Sequence, residues 1–188
     1  LADGPASEMI VVAVLFHLCV LVLFKMGPFM VLSAIEREGG SHRVAGLNGL
    51  ASRDPLLAAS MFVFMLSLAG VPPFSGFLSK LLMLNGIVSV SAGTGGADSI
   101  PSWASSVDPV FWLAVAIVLN SALSIFYYLR MGMVMFFEPN EGDEGSPCNP
   151  VIRTIIVSLA VLSLAFGIGP PSEWLLGLAE DAAAALLA

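Results

Sequence analysis

Hydrophobic residues fall in five blocks along the chain, each closed by a polar or a glycine- and proline-rich interruption. The first covers 9–35 and stops at Glu36-Arg37-Glu38. The second, 53–70, opens at Arg53-Asp54 and ends at a break, Gly70-Val71-Pro72-Pro73, beyond which the third covers 74–92. A Gly/Ser-rich loop leads to the fourth, 109–137, and an acidic, turn-rich loop to the fifth, 151–169. The tail, 172–188, holds Glu173, Glu180 and Asp181 and reads as an amphipathic segment along the interface or against the helices. A membrane crossing takes about 20 apolar residues. Lipid offers no partner for exposed backbone N–H and C=O groups, so these blocks are predicted helices. Their continuous apolar character, without alternation at period two, excludes a β-barrel. The expected fold is all-α: one membrane domain over 1–188 with about five transmembrane helices.

Composition agrees. The chain is 57% hydrophobic and 11% charged, with a mean hydropathy of +0.94, whereas a soluble domain carries about a quarter charged residues. Too little polar surface remains to face water all round, so lipid takes its place. The net charge of −7 comes mostly from loops and the tail, and the absence of a basic run argues against a nucleic-acid partner. Cys19 lies in an apolar run and Cys148 in a polar loop, a placement that suggests neither a disulfide nor a metal site. Residues 1–8 carry acids and no base, so no secretory signal is expected there. Ser-His-Asp sets, Cys-x-x-Cys, haem, flavin and phosphate-loop motifs are all missing, and no cofactor is expected in this chain.

Two lysines sit inside apolar blocks, Lys25 and Lys80. Each costs roughly 2.5–3.5 kcal/mol at a helix centre on insertion scales, which makes an intramembrane lysine a functional candidate. Lys25 is deep in its block, where snorkelling to the interface is difficult. Lys80 follows the break closely, so an interfacial anchor and a functional lysine both fit its position. Pro28 cannot donate to the Phe24 carbonyl, and Pro72 and Pro73 interrupt the second block in the same way. Gly70 and Gly76 allow close backbone approach around that break. A broken helix at membrane depth lines a wet cavity or is buried in protein; a tight turn between two crossings fits the same residues. In the fourth block Asn120, Ser124 and Tyr128 recur at i, i+4 and i+8, with Tyr127 beside them and Arg130 at the end. Such a stripe either glues helices together or forms a hydrogen-bonded path. His17 precedes Lys25 by about 12 Å along the helix axis. Burial in a low dielectric penalises an ammonium, so buried lysines joined by water can pass protons stepwise.

Leu66-Ser67-Leu68-Ala69-Gly70-Val71-Pro72-Pro73-Phe74-Ser75-Gly76-Phe77-Leu78-Ser79-Lys80 resembles the signature of the antiporter-like subunits of respiratory complex I and of Mrp-type cation/proton antiporters. Gly46-Leu47 through Arg53-Asp54-Pro55 resembles that family's lead-in, and Asn120-Ser121 with Tyr127-Tyr128-Leu129-Arg130 its next helix, in the subunit 2 (bacterial subunit N) branch. The resemblance implies the C-terminal part of an inverted-repeat, broken-helix subunit, with the earlier helices on another chain as in a split subunit. It places the family's channel lysine on Lys80, with Ser79, Tyr127 and Tyr128 in support. Lys25 instead matches the setting seen in paralogous antiporter-like subunits. The implied activity is proton translocation within the electron transport chain's NADH:ubiquinone oxidoreductase, with redox chemistry elsewhere in the complex. Implied partners are the other membrane-arm subunits and lipids. The expected location is the mitochondrial inner membrane, with a prokaryotic plasma membrane as the alternative. An Mrp-type antiporter subunit and a non-conducting structural fragment are the rival readings.

Overall fold

A computed structural model describes residues 5–37, 44–94, 109–139 and 148–187. Most of the two sequence-predicted loops, 91–107 and 138–150, lies outside these residues; the start of the first, through Thr94, belongs to a helix. The described chain is all-helical: α1 (Pro5–Arg37), a 3-10 turn (Val44–Leu47), α2 (Leu50–Arg53), α3 (Pro55–Ala69), α4 (Ser75–Thr94), α5 (Pro109–Phe137), α6 (Pro150–Ala165) and α7 (Pro170–Leu187). Each of the five blocks becomes a helix, and the tail becomes α7. α1 continues through Pro28.

Length divides the five blocks. Among the described residues, α1 and α5 are each long and apolar enough to cross a membrane, and α6 with α7, bent by 79°, form a third candidate. α3 and α4, with 15 and 20 residues, are cut short by the break between them. Local chemistry explains the cuts. Asp54 caps α3, accepting the Leu57 N–H at 3.1 Å, and Pro55 occupies its first turn. At the far end Gly70 is left-handed (φ 80°), its N–H reaching Ser67 O while Val71 N–H reaches Leu66 O, both at 3.0 Å. These are the paired bonds of a Schellman cap. Pro72 and Pro73 then forbid continuation. α6 starts the same way, with Asn149 accepting from Val151 N–H and Pro150 behind it.

α1 runs through the bundle and packs against α3, α4, α6 and α7. Its Phe16, Val20, Phe24 and Val31 are buried in one cluster with Leu57, Met61 and Phe64 of α3, Met135 of α5 and Ile156 of α6. In lipid, helix association rests on packing and interhelical hydrogen bonds, since the tails are as apolar as the core. The polar contacts inside this bundle therefore decide how its helices register.

Two such contacts hold the α3 entry. Arg53 donates to Gly46 O at 2.7 Å and Asn48 O at 3.2 Å, tying the preceding turn to α2. Arg153 of α6 lies 3.3 Å from Asp54 Oδ2 and also donates to Cys148 O.

Candidate functional site: a lysine at a helix break

The half-buried Lys80 side chain turns back from α4 toward the end of α3. Its Nζ donates to Leu68 O at 2.9 Å and Ala69 O at 3.2 Å. Carbonyls in the last turn of a helix lack intrahelical partners, and the helix dipole makes that end negative. An ammonium there satisfies both demands. The stem passes directly over Gly70: a Cβ at that position would lie 3.0 Å from Lys80 Cδ and 3.1 Å from Nζ. Gly76 is required for a second reason, since a Cβ there would overlap the Ser67 carbonyl.

Beside Lys80, the buried Ser79 hydroxyl donates to Gly76 O at 3.0 Å and lies 3.0 Å from His17 Nδ1. A hydroxyl has one proton. With that proton on Gly76 O, His17 Nδ1–H is the donor to Ser79, and Nε2 is the accepting nitrogen of the neutral ring. The break thus gathers a cation, a histidine and oriented carbonyls from three helices.

The other sequence-predicted residues stand elsewhere. Lys25 is exposed on the surface of α1, outside the Lys80 group. Its position deep in an apolar block pointed to the interior, but α1 is apolar on nearly every side, so the pattern held no information about facing. On α5, Asn120, Tyr127 and Arg130 are exposed, while Ser124 and Tyr128 are half-buried and Ser124 Oγ bonds Ser121 O of its own helix at 2.8 Å. Tyr127 and Tyr128 meet edge to face at 6.1 Å. Tyr127 and Arg130 line a separate cleft of about 460 Å³ with Asn48, Val134 and Glu138, and its lining includes neither Lys80 nor His17.

One polar group went unnoticed in the sequence. Ser67, Ser75 and Ser163, each with no exposed surface, place their hydroxyls against one another at 3.2–3.3 Å. Their presence inside apolar helices was visible; their convergence across 88 and 96 residues of chain was not.

Residues 5–97, a span that includes His17, the break and Lys80, match the family described as NADH:quinone oxidoreductase/Mrp antiporter, TM. The chain belongs to this antiporter-like family. Within it, the chain is similar to NADH-quinone oxidoreductase subunit N 2 of Sorangium cellulosum, 33% identical over 159 residues that cover 84% of this chain and 28% of that protein. A chain of respiratory complex I from Thermus thermophilus, solved with bound aureothin, is 33% identical with a TM-score of 0.63, covering 84% of this chain and 32% of its own. A chain of the Mrp complex from a Dietzia species superposes with a TM-score of 0.75 over 94% of this chain and 38% of its own; at 24% identity it shows the shared antiporter-like fold alone. The chain spans about a third of the length of these proteins.

Proposed function

We propose that this chain is part of a proton-translocating, antiporter-like subunit of an NADH:quinone oxidoreductase of the respiratory complex I type, with Lys80 as the group that takes up and releases the proton. The observation that carries this reading is the Lys80 ammonium held on two carbonyls at a helix break, next to the His17–Ser79 pair. Protonated, Lys80 closes the negative end of α3. Loss of the proton leaves a neutral amine, with weaker bonds to Leu68 O and Ala69 O, and frees the side chain to move. His17 supplies a second group able to carry a proton, bonded to the Ser79 that precedes Lys80. Lys25, outside the group on the exposed face of α1, is the next station, facing whatever packs there in the assembled subunit. Tyr127, Tyr128, Ser124, Asn120 and Arg130 support a hydrated route along α5.

Quinone reduction elsewhere in the complex drives the relay, and this chain itself holds no redox cofactor. Its partners are the remaining helices of the subunit, whether on this chain's own continuation or on another chain, and the other membrane-arm subunits. The named relatives are bacterial, which favours a prokaryotic plasma membrane over the mitochondrial inner membrane.

The test is Lys80→Met in the intact complex, reconstituted in liposomes and driven by NADH and quinone. The expected result is a fully assembled complex with a lower proton-to-electron ratio. Full assembly with an unchanged ratio overturns the relay. Transport that runs without NADH but depends on sodium points to a cation/proton antiporter and overturns the assignment to the oxidoreductase.

A further inference from the structure

We propose that Ser67, Ser75 and Ser163 form a closed hydroxyl ring that positions the acceptor carbonyls of Lys80. The inference rests on the proton-relay reading of Lys80 and names positioning residues for it.

The ring joins three helices. Ser163 Oγ of α6 donates to Ser67 Oγ of α3 at 3.2 Å. Ser67 and Ser75 lie 3.3 Å apart, as do Ser75 and Ser163. A fourth contact fixes the direction of the protons. Gly76 N–H donates to Ser67 Oγ at 3.2 Å, so Ser67 accepts twice and both its lone pairs are used. Its own proton then goes to Ser75, and the Ser75 proton goes to Ser163. Every hydroxyl donates once, and none is left unmatched in the interior. Removing one member strands a buried donor and a buried acceptor, the costly outcome for polar groups away from water.

The ring sits at the place that matters for Lys80. Ser67 directly precedes Leu68 and Ala69, whose carbonyls hold the ammonium. Ser75 opens α4, the helix that bears Lys80. Ser163 comes from a helix that has no bond to Lys80, and it locks the other two together. The turn after α6 also presses on the break with its backbone: a Cβ on Gly167 would overlap the Pro73 carbonyl and Phe74. The two sides of the break are therefore held at a set separation by α6 and the turn after it, and the Lys80-to-carbonyl distance follows from it.

The experiment uses the intact complex in liposomes with Ser163→Ala, Ser163→Thr and Lys80→Met, read as assembled amount, proton-to-electron ratio and the pH profile of pumping. Ser163→Ala is expected to assemble and to move the pH of half-maximal pumping by about half a unit or more, a roughly threefold change in proton affinity. Ser163→Thr keeps the hydroxyl and is expected to restore the wild-type profile. Adding Ser67→Ala to Ser163→Ala is expected to produce little further shift, because a ring opened once is already lost. A merely structural serine lowers the assembled amount and leaves the profile in place, and that result overturns the proposal. Should Ser163→Ala fail to assemble, Ser163→Cys is read instead, and an unshifted profile there overturns it equally. Lys80→Met separates the two readings. Normal pumping by that variant sinks the relay itself, whereas lost pumping in Lys80→Met with an unshifted Ser163→Ala sinks the ring alone.

Discussion

Lys80 reaches back 12 residues to bond the Leu68 carbonyl at 2.9 Å, so a charge on α4 completes the final turn of α3. In the proposed relay that side chain has two tasks, capping a helix and carrying a mobile proton, and a charge-conserving replacement separates them. Arginine keeps the cation and its donors but holds its proton across the physiological range. Lys80→Arg is expected to assemble at close to the wild-type amount while its proton-to-electron ratio falls as far as that of Lys80→Met. A normal ratio in the arginine variant, measured in reconstituted complex, means that Lys80 acts as a fixed charge.

Gly70 is the hinge over which the Lys80 stem passes. Its φ of 80° is costly for any residue with a Cβ, about 1–2 kcal/mol, and the added methyl also crowds Lys80. Gly70→Ala is expected to destabilise the subunit by roughly that amount and to slow pumping by more than its loss of assembled complex explains. Thermal unfolding of the purified complex gives the first quantity and turnover per assembled complex the second.

His17 and Ser79 invite a comparison of asparagine with alanine. The asparagine amide offers a donor near the position of Nδ1 but has no ring nitrogen to titrate. His17→Asn is expected to hold Ser79 and assemble well, yet to pump no better than His17→Ala. Restored pumping in the asparagine variant reduces His17 to a prop for Ser79. The measurement is proton uptake per NADH oxidised at several pH values.

At the other end of α3, Asp54 serves as both helix cap and ion partner. Asp54→Asn keeps the cap and loses the charge; Asp54→Ala loses both. The cap contributes about 1 kcal/mol and the partly exposed pair less than about 1 kcal/mol. The expected order of stability is wild type, then Asp54→Asn and Arg153→Ala together, then Asp54→Ala, read from the melting temperatures of the solubilised complex. Asp54→Asn falling as far as Asp54→Ala contradicts this division.

Much of this was legible in the sequence. The fourth block and α5 end together at Phe137, where Glu138 and Pro139 stop the apolar run. Gly70 and the two prolines located the break, since a Schellman cap followed by proline ends a helix whatever surrounds it. Lys80 stood out as a charge soon after that break, a position that fits an interfacial anchor as well as a functional lysine. Facing was not legible. α1 is apolar on nearly all sides, so nothing along the chain told Lys25, exposed, from Phe24, buried. The serine ring was hidden for another reason: it depends on α6 meeting the break, a tertiary contact that no local spacing encodes. Ser163 in an apolar helix reads as an isolated small residue until Ser67 and Ser75 are placed around it.

The shortness of α3 has a physical consequence of its own. Its 15 residues rise about 22 Å, less than the roughly 30 Å of hydrocarbon in a bilayer. A helix that enters the hydrocarbon at Asp54 therefore ends about 8 Å short of the far side, with its last carbonyls still inside the apolar layer. Lys80 hydrates them in place of water, as a tethered solvent molecule carrying a charge. In the relay proposed above, each departure of Lys80 draws water in to take over, so the path wets when it leaves and dries when it returns.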